Sequence, residues 1–281
     1  MHINVKKEIL GSGPAIIGFV ILLVMIMAAL LAPLIAPYDP QQQSVSSLLA
    51  PSMSHWLGTN HVGQDIWSQL LYGARTSLLV GFSVGALAVL FGSICGVSAA
   101  LIGGLYERII MRLVDSLIVI PMIIVIIVIA AYIKPNILVL IVLLSLLSWE
   151  SGARIIWSQT LSLKERGYIA AARSFGARKS YLAWRHIIPA LGPILLVDFI
   201  YGIRRAVFLE AGLAFLGISD PATISWGMMM RDALGFSYLN VWQWWLVPTG
   251  IALSLTIVGL TFIGHAVEPI IDPRLRGAEV A

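Results

Sequence analysis

Apolar residues in this chain gather in long unbroken runs, without the polar face of a surface helix. A bilayer core about 30 Å thick takes about 20 apolar helical residues, and six runs of that size lie between polar or turn-forming stretches. The first extends from Pro14 to about Ala36, with Ser12 and Gly13 as caps, Pro14 in the first turn, and Pro33 and Pro37 closing it. The others cover about Thr76 to Leu101, Ile109 to Ile133 with Pro121 inside, Ile137 to Ile156, Ile187 to Leu216, and Trp244 to Val267. The third and fourth lie so close that they form a tight helical hairpin. The fourth is strongly apolar only to Trp149; beyond it Glu150 and Arg154, at i and i+4, are expected to pair and hold that end at the interface. The first run follows Lys6 and Lys7 and is long for a signal-peptide core, so it reads as a retained signal-anchor helix.

Within the second run, Gly81, Gly85, Ala88, Gly92, Gly96 and Ala99, continuing to Gly103, recur at spacings of three and four. That stripe is one helix face. Apolar burial gives no driving force in lipid, so small residues associate helices by letting backbones approach.

Charge adds an orientation. The segment from Tyr38 to Gly73 is polar and free of Lys and Arg, and only Arg75, Lys134 and Arg231 fall on its side of the membrane. Arg204 and Arg205 lie inside the fifth run, and the rest of the 18 basic residues fall on the opposite side. The positive-inside rule then places both termini in the cytoplasm. The layout is a cytoplasmic N-terminus over 1–13, a first transmembrane helix over 14–36 and an extracytoplasmic loop over 37–75. A five-helix core over 76–267 follows, with a cytoplasmic loop at 158–188, and then a cytoplasmic tail over 268–281.

With 59% hydrophobic and 11% charged residues, against about 25% charged in soluble domains, the chain is an all-α polytopic membrane protein. Its net charge of +4 is explained by that asymmetry and points to the bilayer, with no nucleic-acid partner. The single cysteine, Cys95, leaves no intramolecular disulfide and no thiolate metal site, and reads as a small buried residue.

The cytoplasmic loop is the most informative segment. Ser162 and Glu165 match a capping box, Leu163 to Phe175 are good helix formers, and Gly176 is a stop, which predicts a short helix on the cytoplasmic surface. Ala170, Ala171 and Ala172, flanked by Tyr168 and Phe175, form a bare patch suited to a groove on another protein. The other reading is an amphipathic helix lying on anionic lipid through Lys164, Arg166 and Arg173.

The fifth run carries Asp198, Arg204, Arg205 and Glu210, and charges inside a membrane point to a solute path. At about 100° per residue, Asp198 and Arg205 share a face about 10 Å apart along the axis, while Arg204 and Glu210 point elsewhere. None of the four pairs at i,i+4, so their partners are water, another helix or another subunit. Snorkelling is the competing reading, since Arg205 lies about 24 Å along the helix from Pro189. Our expectation is that Arg204, Arg205 and Glu210 border the outer vestibule. His55 and His61 in the outer loop invite a metal-ligand reading, against which stands that of solvated loop histidines; His186 reads as an interfacial residue before Pro189.

Tyr168-Ile-Ala-Ala-Ala-Arg-Ser-Phe-Gly-Ala177, followed by Arg185-His-Ile-Ile-Pro189, resembles the EAA loop of binding-protein-dependent ABC importer permeases. The likeness is greatest to the second permease of dipeptide, oligopeptide and nickel importers. His55-Trp-Leu-Gly-Thr-Asn-His-Val-Gly-Gln-Asp-Ile-Trp-Ser68, Tyr72-Gly-Ala-Arg-Thr-Ser-Leu78, Glu210-Ala-Gly-Leu-Ala-Phe-Leu-Gly217, Ser225-Trp-Gly227 and Asp272-Pro-Arg-Leu-Arg276 are similar to that subfamily's blocks. Two departures stand out. Ala170 replaces the loop's glutamate, and Asn60, Gln64 and Gln69 replace the usual Asp, Arg and Arg.

The resemblance implies a type I importer permease fold with six spans in the cell membrane. It also implies a homologous permease partner, two ATP-binding-cassette ATPases that bind ATP and Mg, and an extracytoplasmic substrate-binding protein that brings peptide, nickel or a similar solute. It assigns Tyr168, Ala170, Ala171, Ala172, Arg173, Phe175, Gly176, Ala177 and Pro189 to ATPase coupling. The chain has no G-x-x-x-x-G-K-[ST] of its own, so no cofactor is expected in it. An ion-gradient carrier or channel is the alternative, but no inverted repeat or pair of broken helices supports it. An intramembrane enzyme would need an HExxH or a Ser/His or paired-Asp arrangement, none of which is present.

Overall fold

The computed structural model describes residues 13–44, 46–133 and 136–271. Lys6, Lys7, Ser12, Lys134, Arg274, Arg276 and the Asp272–Arg276 block lie outside them. Helix α1 (Gly13–Ile35) is followed by a looped outer segment and then by α2 (Ile66–Ile102). Next come α3 (Gly104–Val119), α4 (Met122–Tyr132), α5 (Ile137–Leu146) and α6 (Glu150–Lys164). A surface helix, α7 (Gly167–Ser174), precedes α8 (Lys179–Leu182), a π turn at Ala183–Ile187 and α9 (Ile188–Phe215). The chain ends through α10 (Trp226–Gly235), a 3-10 turn at Asn240–Gln243, and α11 (Leu246–Ile271). Five helical stretches among the described residues are long and apolar enough to cross a membrane, and α3 with α4 makes six if that bent pair counts as one.

Helix α2 is the axle. Its 37 residues reach about 55 Å, well beyond the bilayer core. It starts earlier than the apolar run because Ser68, Gln69 and Arg75 interrupt hydropathy without interrupting the helix. Asp65 caps it, accepting from the Ser68 backbone N–H at 2.8 Å and the Ser68 hydroxyl at 2.7 Å. The small-residue stripe meets two different neighbours. A Cβ at Gly81 would lie 2.5 Å from Val207 Cγ2, and one at Gly85 3.1 Å from Ile203 N, both on α9. Further along, a Cβ at Gly96 would lie 2.7 Å from Ala153 O, and one at Gly92 3.1 Å from Ala153 N, both on α6. Ala88 and Ala99 are buried on the same stripe, clustered with Ala153 of α6 and with Met111 and Val114 of the helix that follows α2. Gly103, at φ +75°, ends the stripe as the turn into α3.

Helix α1 follows the same logic. Its buried residues are Ala15, Gly18, Ala29 and Ala32, while Phe19, Leu30 and Leu34 face outward. A Cβ at Gly18 would sit 2.7 Å from Gly259 O of α11. Backbone meets backbone there.

The third expected span is not one helix. Its two parts meet at 81°, because Pro121 lacks the N–H that would continue α3 and holds the preceding Ile120 in extended conformation (φ −76°, ψ 126°). The fourth span is broken at Leu147–Trp149 and resumes as α6. The expected Glu150–Arg154 pair is also absent. Arg154 instead reaches Asp115 of α3 at 2.8 Å, and Glu150 reaches Arg205 of α9 at 3.2 Å. Each partner comes from a helix that packing, not spacing, brings alongside.

Candidate functional site

Two ends of the molecule hold the sequence-derived residues. At the end shared by the Gly103–Gly104 turn and the loop 158–188, α6 runs on to Lys164, and Arg166 then adopts an extended conformation (φ −69°, ψ 139°). The surface helix therefore begins at Gly167, later than the expected Leu163. No capping box forms, since Ser162 donates to Ser158 O at 3.4 Å and Leu163 is buried within the last turn of α6. The stop is as expected: Gly176, at φ +82°, donates to Arg173 O, and the Ala177 N–H reaches back to Ala172 O at 3.1 Å.

This helix has a single deep anchor. Ile169 is fully buried among Val97 of α2, Ile156 and Leu163 of α6, Leu182 of α8, and Ile187 and Leu191 at the foot of α9. Ala172 and Ala177 pack beside it, half-buried. Tyr168, Ala170, Ala171, Arg173, Phe175 and Gly176 are exposed, Phe175 at 92%. His186 lies edge-on to Tyr181 and tilted to Tyr168, with centroids 5.6 and 6.1 Å apart. Pro189 is exposed in the first turn of α9.

The charges of α9 sort as the helical angles require. Asp198 and Arg205 both face α6: Arg205 meets Glu150, and Asp198 lies against Gly152, where a Cβ would collide with its carboxylate. Arg205 also reaches Met122 Sδ at 3.4 Å. Arg204 points instead to α11, donating to Thr261 Oγ1 at 3.3 Å and lying over the Tyr201 ring at 4.7 Å. Glu210 is buried and accepts from Ser77 of α2 at 3.0 Å. Sequence reasoning missed Glu150 as the partner of Arg205. The available signal was an acid just past the apolar part of its run, with Arg205 on the adjoining span.

At the opposite end, the outer loop folds onto the start of α2. Asn60, Gln64 and Gln69 join in one neutral network: Asn60 Nδ2 and Gln69 Nε2 each donate to Gln64 Oε1 at 2.8 Å, and Gln69 Nε2 also reaches Pro40 O at 3.2 Å. The two loop histidines are held separately. His55 Nδ1 contacts Asp65 at 2.9 Å, while His61 stacks on Phe236 and Trp245 at 5.0 and 5.7 Å. Among the described residues no group of three His, Cys, Asp or Glu side chains could hold a metal ion.

Known proteins resemble this chain in sequence and fold. Residues 88–277 match the family described as binding-protein-dependent transport system inner membrane component, and residues 12–51 match the N-terminal transmembrane domain of oligopeptide transport permease C. The oligopeptide transport system permease protein OppC of Bacillus subtilis is 34% identical over 93% of this chain and 86% of its own. A Brucella suis protein, provisionally described as a peptide permease protein, is 37% identical over 95% of this chain and 89% of its own. A chain from inward-facing structures of the MetNI methionine ABC transporter superposes with a TM-score of 0.55 at 21% identity, covering 71% of this chain and 96% of its own. That likeness concerns the fold. Extended sequence identity and a matching family profile over most of the core set aside the ion-gradient carrier. The chain therefore belongs to the binding-protein-dependent transport system inner membrane components, as a non-catalytic, multi-pass inner-membrane permease subunit of the ABC importer type.

Proposed function

We propose that this subunit, with a homologous permease, forms the translocation path for peptides, or for nickel or a similar small solute, delivered by an extracytoplasmic binding protein. Two cytoplasmic ATPases, which bind ATP and Mg, supply the motion. The carrying observation is α7, which exposes Tyr168, Ala170, Ala171, Arg173, Phe175 and Gly176 while Ile169 roots it among α2, α6 and α9. A helix held by one apolar root, with its other face bare, suits docking in a groove, and displacement of α7 would pass through that root into three spans. Ala172 and Ala177, packed beside Ile169, hold the helix against its base, and Pro189 completes the coupling set in the first turn of α9. The names of the relatives favour peptide as cargo. With Ala170 in place of the glutamate, docking depends on shape at that position and on no carboxylate.

Asp198, Arg204, Arg205 and Glu210 line or brace the path in this reading. Arg205, half-exposed beside Glu150, is the charge a passing solute meets, and Glu210 with Ser77 fixes α9 to α2. The test is to tag the chain, extract it in mild detergent, identify what accompanies it by mass spectrometry, and measure ATP hydrolysis. Recovery of a second permease and P-loop ATPases, with hydrolysis lost when Ala171 and Gly176 are replaced by bulky residues, is the expected result. A chain that purifies alone and still conducts solute in vesicles would overturn the proposal.

A further inference from the structure

On the side of α2 away from its small-residue stripe, a hollow opens between the lower half of α2 and the foot of α9. It offers about 1240 Å³ of free space counting its open side, and its walls are almost wholly apolar, with Leu90 and Ile94 on one side and Ile188 and Leu195 on the other. Its end near the loop 158–188 is different in character. Lys179, Ser180 and Trp184 close it, and a second hollow continues past Ser180 and Trp184 to Tyr181 and Arg185.

Three observations identify the occupant. From Ala86 to Ile102 the wall measures about 24 Å along α2, which exceeds the roughly 15 Å of hydrocarbon in one leaflet, so the hollow is long enough to take a whole acyl chain. The charge at its end is uncompensated: among the described residues Arg178, Lys179 and Arg185 form no ion pair. Lys179 donates one N–H to Ile102 O, the last residue of α2, at 3.3 Å, which leaves two ammonium protons for another acceptor. Trp184, 74% exposed, stands between the apolar and cationic parts, the position an indole takes at the headgroup level. An apolar slot long enough for an acyl chain, with a basic end, matches a phospholipid with net negative charge, because the cytoplasmic leaflet concentrates such lipids.

We propose that this hollow binds one anionic phospholipid of the cytoplasmic leaflet, its acyl chain along α2 and its phosphate on Lys179, Ser180 and Arg185. The proposal rests on the orientation that puts loop 158–188 in the cytoplasm. Because Lys179 follows Gly176 closely, the headgroup sits at the joint between α7 and α9, where it steadies the link between the ATPases and the spans.

The assembled complex, reconstituted in nanodiscs of phosphatidylcholine with increasing phosphatidylglycerol, tests this when either lipid carries bromine on its chain. The contribution of Trp184 is the difference in fluorescence between the unaltered and Trp184→Phe complexes. Brominated phosphatidylglycerol is expected to quench it at a several-fold lower mole fraction than brominated phosphatidylcholine. Lys179→Gln and Arg185→Gln should each weaken that preference about fivefold, the size of one basic group beside an anionic surface. Ser93→Phe, which fills the hollow and leaves the charges, should abolish it. Equal quenching by the two lipids would overturn the proposal. So would a Trp184 that neither lipid quenches, since a protein would then cover the hollow. ATP hydrolysis stimulated by the binding protein, measured in the same nanodiscs, reports separately on the importer reading; its absence with selective quenching intact would leave the lipid site standing.

Discussion

Helix α7 and the middle of α9 solve opposite problems with similar economy. Helix α7 keeps its distinctive side chains outside and is fastened by one buried isoleucine, so its stability and its exposed surface are carried by different residues. The midsection of α9 turns its charges toward other spans and gives three of the four a polar partner there: Glu150 for Arg205, Thr261 for Arg204, Ser77 for Glu210. Stability and chemistry there reside in the same groups. Substitutions should therefore separate folding from function in α7 and fail to separate them in α9.

The sharpest test is at the anchor. Ile169→Ala removes a fully buried side chain and should cost about 2–5 kcal/mol, all of it local to the loop. The complex should still assemble, with faster hydrogen exchange over 167–178 and loss of stimulated ATP hydrolysis. Unchanged exchange would mean that the root lies elsewhere. Glu150→Leu leaves Arg205 without its acid and should cost about 1.5–3 kcal/mol, read as a lower unfolding midpoint together with reduced transport. A double-mutant cycle with Arg205→Leu should return a clear coupling energy, and simple additivity would refute the pairing.

Gly96→Val forces a Cβ against Ala153 O and should cost about 1–3 kcal/mol, separating α2 from α6, whereas Gly212→Ala on α9, which would meet nothing within 4 Å, should leave thermal stability alone. Phe175→Ala should also have little structural effect. Because the ring is exposed, stability should stay within about 0.5 kcal/mol, yet binding-protein-stimulated hydrolysis should fall. If yield and hydrolysis fell together, the contrast between the two regions would collapse.

Much of this was legible in sequence because the bilayer imposes it. Span length follows from membrane thickness, the stripe on α2 from the need for close backbone approach, and the shared face of Asp198 and Arg205 from helical pitch. Local spacing failed where tertiary packing decides. Glu150 and Arg154 fit an i,i+4 pair, yet α3 and α9 each offer a better placed partner. Pro121 signals a break but not its 81° angle. Helix α2 extends back to Ile66 because Asp65 caps it, although hydropathy alone starts the span near Thr76. The break at Arg166 was hidden by good helix formers on both sides, and it is the burial of Leu163 and Ile169 on successive helices that fixes it.

The amides of Asn60, Gln64 and Gln69 have a consequence outside the membrane. An outer cap fastened by ions would loosen as salt rises, since screening shortens to about 3 Å at 1 M. One fastened by neutral hydrogen bonds has little for salt to screen. The clasp that Asn60, Gln64 and Gln69 make on the start of α2 is thus built to hold across dilute and saline surroundings alike.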